Sequence, residues 1–133
     1  MLQIAVLTIS DSVANGTRED RSGAALRERV EALRWSVKTT HVVPDDTERI
    51  AGTLRSWAET GDLDVILSTG GTGISARDVT PEAVRMVIDK EIPGVGELMR
   101  STGLKSTPLA PLSRSLAGSR GAVLILAFPG SPK

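Results

Sequence analysis

Val65-Ile66-Leu67-Ser68-Thr69-Gly70-Gly71-Thr72-Gly73-Ile74-Ser75-Ala76-Arg77-Asp78-Val79-Thr80-Pro81 decides the fold. An apolar run, Val65–Thr69, stops abruptly in a glycine-rich turn. An Arg-Asp pair follows, and Thr80-Pro81 then opens a helix as N-cap and first-turn proline. Strand, loop and helix in this order make a βα unit, and in α/β proteins ligands bind in crevices outside the carboxyl ends of strands. Three glycines among residues 70–73 let backbone N–H groups turn outward and approach an anion. The expectation is a central strand at Val65–Thr69 and a phosphate held by Gly70, Gly71, Thr72 and Gly73. A tight turn that needs positive φ would use the same glycines, so the rest of the chain has to decide.

Upstream, residues 2–9 are rich in Ile, Val and Leu and too short for a typical helix, which fits a buried strand. Ser10-Asp11-Ser12 follows, again polar residues at a strand end. Residues 13–20 read as a loop around Asn15-Gly16. Leu26, Val30 and Leu33 have helical spacing within residues 21–34. Residues 35–43 alternate loosely and read as a strand less buried than the first. Pro44-Asp45-Asp46-Thr47-Glu48 starts a helix to about Thr60, with Ile50, Leu54, Trp57 and Ala58 on one face and Gly61 ending it. Asp45 and Glu48 have capping-box spacing.

Downstream, the helix opened at Thr80 is expected to reach about Lys90, with Val84, Val87 and Ile88 inward. Residues 93–96 read as a break, followed by one helical turn at 97–101. Residues 102–120 carry no clear period, and 112–116 fit a short helix or a short strand. Residues 122–127 are the last apolar run, a strand. Ser131-Pro132 resembles another helix start with no helix after it. The alternation implies a three-layer α/β/α sandwich with a mostly parallel sheet.

Composition narrows the function. The 133 residues suit one domain. With no cysteine and one histidine, His41, thiolate and histidine metal sites are disfavoured, so a metal would be oxygen-bound and magnesium the natural choice. Lys+Arg and Asp+Glu are both 16, and aromatics are limited to Trp35, Trp57 and Phe128. No nucleic-acid partner is expected from that balance. No apolar segment has membrane-spanning length, and residues 1–9 lack a signal-peptide pattern. A cytoplasmic protein is expected.

Three acids fall where strands end: Asp11, Asp45 and Asp78. In a parallel sheet those ends share one edge, and carboxylates beside a glycine loop suit a magnesium–phosphate site. Each has a second role open to it: Asp45 as helix cap, Asp11 in a turn, Asp78 paired with Arg77 or capping a turn. Ser113-Arg114 offers a guanidinium for phosphate or a plain surface pair. Glu97 fits first-turn helix stabilisation. There is no Gly-Lys-Ser/Thr P-loop. Gly71-Thr72-Gly73-Ile74-Ser75-Ala76 formally fits the dinucleotide fingerprint, but the helix starts only at Pro81 and the strand is not the first.

Seven pieces, nearly end to end, resemble one family: Thr8-Ile9-Ser10-Asp11; Val43-Pro44-Asp45-Asp46; Leu67-Ser68-Thr69-Gly70-Gly71-Thr72-Gly73; Arg77-Asp78-Val79-Thr80-Pro81-Glu82-Ala83; Pro93-Gly94-Val95-Gly96-Glu97-Leu98-Met99-Arg100; Leu112-Ser113-Arg114; and Pro129-Gly130-Ser131. The chain resembles the molybdopterin adenylyltransferases of molybdenum-cofactor synthesis, the MogA/MoaB group that includes the gephyrin G domain. The resemblance implies an α/β/α fold with a mixed sheet, assembled as a homotrimer or hexamer. It implies Mg²⁺-dependent transfer of AMP from ATP to molybdopterin with release of pyrophosphate, and contact with the molybdenum-inserting enzyme of the same pathway. By motif position, Asp45 and Asp78 would be catalytic and hold the metal. Gly70, Gly71, Thr72 and Gly73 would bind phosphate or pterin, and Ser10, Asp11, Ser113, Pro129, Gly130 and Ser131 would line the same pocket. The segment 43–46 looks like the catalytic MogA branch and 116–118 closer to the MoaB branch. A pterin-binding scaffold without turnover therefore stays open, as does a nucleotide pyrophosphatase of the competence-damage type. The family's C-terminal helix is expected to be missing after the Pro-Gly-Ser loop.

Overall fold

The computed structural model describes residues 1–130. Six strands form one sheet in the order β2-β1-β3-β6-β5-β4. They are β1 (Gln3–Ile9), β2 (Ser36–Val43), β3 (Val65–Thr69), β4 (Lys90–Glu91), β5 (Leu116–Arg120) and β6 (Val123–Phe128). The helices are α1 (Asp11–Ala14), α2 (Arg21–Ala32), α3 (Thr47–Ala58), α4 (Thr80–Val87) and α5 (Pro93–Gly103). β2, β1, β3 and β6 run parallel, while β5 pairs antiparallel with both β6 and β4. The sheet is therefore mixed, as expected: four parallel strands from the β2 edge inward to β6, then β5 and β4 in antiparallel pairings at the other side.

Side-chain alternation in the strands explains the layers. Ala5, Leu7 and Ile9 of β1, Ile66 of β3 and Ile125 of β6 face one way. They pack with Ile50, Ala51 and Leu54 of α3 and with Ala83, Val84 and Val87 of α4. Ile4, Val6 and Leu67 face the other way and pack with Val30 and Leu26 of α2. A strand covered on both faces reads as a continuous apolar run, which is how β1 and β3 read in the sequence. β2 has one covered end and an open edge, consistent with its weaker apolar pattern. His41 on it is exposed. Among the described residues no helix is long and apolar enough to cross a membrane.

Four expectations need correction. The loop at 13–20 is preceded by a single helical turn, α1, which reaches Ala14 and is capped by Ser10. α4 ends at Val87, and Lys90–Glu91 pairs with β5 instead of extending the helix. The break and single turn expected at 93–101 are one helix, α5, which starts at Pro93 because proline suits the first helical position. Residues 112–116 hold neither a helix nor a strand alone: a 3-10 turn covers Ala110–Leu112, and β5 starts at Leu116. β5 and β6 form a hairpin turned by Gly121 at φ 57°, which fits a two-residue Gly-X connection. The Ser131-Pro132 helix start lies outside the described residues.

The chain leaves β1 to one side for β2 and to the other for β3. The strand order reverses there, so a crevice opens at the carboxyl ends of β1 and β3. Ser10-Asp11 leaves the first of these strands and Gly70–Gly73 the second.

Candidate active site

The glycine loop is built by its surroundings. Gly70 has φ 105° and Gly71 φ 70°, a region that side chains rarely adopt. A Cβ on Gly70 would overlap the Ile9 carbonyl, and one on Gly71 would overlap Thr80 Oγ1 and lie 3.1 Å from Asp45 Oδ1. The loop thus runs against the end of β1 at the closest approach a backbone permits. The Thr80 hydroxyl donates to the Gly70 carbonyl at 2.9 Å, and the Thr80 N–H donates to the Gly71 carbonyl at 3.1 Å. Thr80 was expected as an N-cap. Val79 holds that position instead, and the hydroxyl serves the loop. From the other side, Thr69 Oγ1 donates to the Pro129 carbonyl at 3.0 Å and the Gly70 N–H to the Phe128 carbonyl at 3.0 Å. Pro129-Gly130 therefore lies beside Gly70.

Asp11 and Asp45 are locked to each other. The Asp11 N–H donates to Asp45 Oδ2 at 3.0 Å and the Asp45 N–H to Asp11 Oδ1 at 2.9 Å. The register that sets Ile9 opposite Val43 brings them together. Arg77 Nε and Nη2 donate to Asp11 Oδ2 at 3.0 and 2.6 Å. That guanidinium and the Asp45 N–H hold the Asp11 carboxyl below its ordinary range. Burial pushes the Asp45 carboxyl up, and the nearby Asp11 and Asp78 carboxylates add to the effect. Asp45 makes no capping bond, and Asp46 is the N-cap of α3. Asp78 does not pair with Arg77. Its Oδ2 accepts from the Ser75 N–H at 3.0 Å.

Ser10, Asp45, Gly70, Gly71, Asp78 and Gly130 line a cleft of about 570 Å³, which Arg18 and Arg21 also line. Gly71, Thr72, Gly73, Asp78, Ser113, Pro129 and Gly130 line a second cleft of about 390 Å³, with Leu109, Leu112 and Ile74. The glycine loop is the partition between the two. Of the residues expected at the site, Asp11 is engaged by Arg77 and Asp45, and Ser131 lies outside the described residues. Every other one borders a cleft. The three expected carboxylates do lie together, but both oxygens of Asp11 are engaged, so among the described residues only Asp45 and Asp78 of the three keep an oxygen without a hydrogen bond. Among the described residues, no three Asp, Glu or His side chains are grouped as metal ligands.

Arg114 is neither a bare surface residue nor aimed at a cleft beside the glycines. Its Nε donates to the Gly73 carbonyl at 2.8 Å and its Nη2 to the Asp78 carbonyl at 2.7 Å, while Nη1 pairs with Glu82. Sequence reading missed this role, and it missed Arg18 and Arg21. Arg114 and Glu82 both sit inside motif pieces, but nothing in either piece points to the other.

A doubly wound sheet with paired clefts at its switch point defines the class of α/β protein. The comparisons make the class specific. Residues 5–133 match the family described as "Probable molybdopterin binding domain". The chain is 41% identical over 134 residues to the molybdopterin adenylyltransferase of Helicobacter pylori strain J99, covering 99% of this chain and 76% of that protein. It is 43% identical over 128 residues to molybdenum cofactor biosynthesis protein B of Halalkalibacterium halodurans, covering 95% and 74%. The crystal structure of the molybdopterin biosynthesis enzyme MoaB from Thermus thermophilus superimposes with a TM-score of 0.92 at 47% identity, over 99% of this chain and 83% of that one. The chain belongs to this molybdenum-cofactor biosynthesis family.

Proposed function

We propose that the protein is a molybdopterin adenylyltransferase, which transfers AMP from Mg-ATP to the terminal phosphate of molybdopterin and releases pyrophosphate. The observation that carries this reading is the partition: one backbone loop almost without side chains separates two clefts, and Asp78 borders both. Two substrates that must meet phosphate to phosphate suit such a wall.

The reaction forms a bond from a molybdopterin phosphate oxygen to the α-phosphorus of ATP and breaks the bond to the bridging oxygen of pyrophosphate. A phosphate nucleophile is already ionised, so no base is required, and positioning with charge neutralisation carries the catalysis. The residues fit a magnesium ion. Among the described residues, Asp45 Oδ1 and Asp78 Oδ1 have no hydrogen bond, and Mg²⁺ is commonly held by one or two carboxylates plus substrate phosphates. Bound there, the ion would offset the charge of the phosphates. Gly71, Thr72 and Gly73 hold an anion by their N–H groups. Gly70, whose N–H already serves the Phe128 carbonyl, gives the anion room. Ser10, Ser113, Pro129 and Gly130 shape the walls. We extend the reading to Asp11, which orients Asp45, and to Ser131 as a further pocket residue. It also includes one MogA/MoaB-like domain, a homotrimer or hexamer, the molybdenum-inserting enzyme as partner, and a cytoplasmic location.

The test incubates the protein with molybdopterin, ATP and Mg²⁺ and looks for adenylylated pterin and pyrophosphate. Both products are expected. Tight pterin binding without them would favour a binding protein of the MoaB type, and ATP hydrolysis in the absence of pterin would favour a pyrophosphatase.

A further inference from the structure

We infer that Arg114, oriented by Glu82, is the positioning residue that sets the glycine loop and Asp78 for the proposed AMP transfer. The inference rests on that functional reading for its consequence and on the structure for its geometry. Residues 74–77 are exposed, so the loop between Gly73 and Asp78 has no core contact to hold it. Its backbone N–H bonds are local, Ser75 N–H to Asp78 Oδ2 and Asp78 N–H to the Ser75 carbonyl at 3.0 Å, and the side chain of Arg77 ties its exposed tip to Asp11. The backbone bonds close the turn, and the Arg77–Asp11 pair is solvent-exposed and holds only the tip, so neither fixes the carbonyls of Gly73 and Asp78 at the two ends.

Arg114 supplies that fixation at both ends. Its backbone N–H donates to the Thr72 carbonyl at 2.7 Å. Its guanidinium reaches the Gly73 carbonyl through Nε and the Asp78 carbonyl through Nη2. A planar fork with five donors can hold two carbonyls and a carboxylate at once, whereas a lysine ammonium is a single point. Glu82 is in the first turn of α4 and accepts from Nη1 and, at 3.3 Å, from Nη2. It stops the fork from rotating away. The clamp thus ties three elements together: the segment before β5, the glycine loop and α4. It does so through carbonyls, leaving the N–H groups of residues 71–73 and the Asp78 carboxylate for the clefts. Arg114 borders neither of the two site clefts, so it acts through Asp78 and the loop.

The test is a cycle of Arg114→Gln, Asp78→Asn and the double variant, with Arg114→Lys and Glu82→Gln alongside, all checked for folding by circular dichroism. Arg114→Gln and Arg114→Lys are expected to lower kcat for AMP transfer by about 10- to 100-fold, the cost of a small misplacement, with KM for ATP changed by less than about threefold. In the Asp78→Asn background, Arg114→Gln should cost less than about threefold more, because its effect passes through Asp78. Fully multiplicative losses would overturn the inference. Hydrogen exchange provides a second reading independent of turnover. Arg114→Gln should speed exchange of the amides at 72–79 and leave β3 unchanged, and unchanged exchange there would overturn the inference. If the wild-type protein makes no adenylylated pterin but the loop loosens as described, the clamp stands and the functional reading falls.

Discussion

Gly71→Ala tests the loop's construction most directly, because its expected cost can be divided into parts. Gly71 sits at φ 70°, and placing alanine in the left-handed region costs about 1–2 kcal/mol. The added Cβ also overlaps Thr80 Oγ1. That hydroxyl must turn away, which leaves the buried Gly70 carbonyl without its 2.9 Å partner. An unmet buried acceptor costs about 1–3 kcal/mol. The sum is about 2–5 kcal/mol, a large share of the roughly 5–15 kcal/mol a domain commands. Gly121→Ala is the control. It lies at φ 57° with nothing within 4 Å of an added Cβ, so it carries the backbone part alone. Urea unfolding followed by tryptophan fluorescence, with the slopes compared, reads both values. Gly71→Ala should cost about 1–3 kcal/mol more than Gly121→Ala. In a Thr80→Ala background the excess should vanish, since the overlapping hydroxyl is gone. Equal losses for the two glycine variants, or an excess that survives Thr80→Ala, would refute this account of the loop.

Three further outcomes follow from the electrostatics and the proposed chemistry. Burial chiefly raises the Asp45 carboxyl, so its folded-state pKa lies above the unfolded value. Its contribution to stability is then complete below the unfolded value and lost as pH rises through the folded one. Asp45→Asn should therefore melt no lower than wild type at pH 7, with any advantage shrinking towards pH 3, while AMP transfer drops by about 100-fold or more. A lower melting temperature at pH 7 would contradict that sign. Glu82 is held below the ordinary range, chiefly by Arg114. Its contribution is present above the unfolded value and lost as pH falls through the folded one. Glu82→Gln should lower the melting temperature at pH 7 by an amount that shrinks as pH falls below the ordinary glutamate value of about 4.3. Screening of this partly exposed pair limits the effect to about 1 kcal/mol or less. Chelation by EDTA should stop AMP transfer without shifting the melting temperature of the ligand-free protein, and added Mg²⁺ should restore it. Transfer that persists in EDTA would count against the metal role of Asp45 and Asp78.

The central fold was legible because its strands are covered on both faces. Residues of β1 and β3 show this as unbroken apolar runs, and α3 shows it as Ile50 and Leu54 on one stripe. β6 was legible as the apolar run at 122–127, but its hairpin partner β5 was not, since Leu116-Ala117-Gly118-Ser119-Arg120 carries no alternation. It is a strand because Gly118 lets the Lys90 carbonyl and Ile88 come close, a contact only the assembled sheet defines. The start of α5 was missed because Pro93, Gly94 and Gly96 read as breakers. Gly96 is in fact small where α5 crosses the Ser115 carbonyl.

The site was legible by residue type and illegible by partner. Asp11, Asp45 and Asp78 were all visible as strand-end acids. Which two keep one oxygen without a hydrogen bond among the described residues depends on the Ile9–Val43 register, which gives Asp11 and Asp45 each other's N–H, and on Arg77 reaching Asp11 across 66 positions. The glycine loop sharpens the point. A loop comes close to an anion only if it lacks side chains, and a loop without side chains cannot hold itself in place. Its order must be supplied from outside: Thr80 from the helix after it, Thr69 with Pro129 from β3 and the end of β6, Arg114 from 41 positions away. Those side chains look ordinary in the sequence because they act on backbone carbonyls, which no motif records. A glycine-rich loop therefore implies remote threonine or arginine partners as firmly as it implies a ligand.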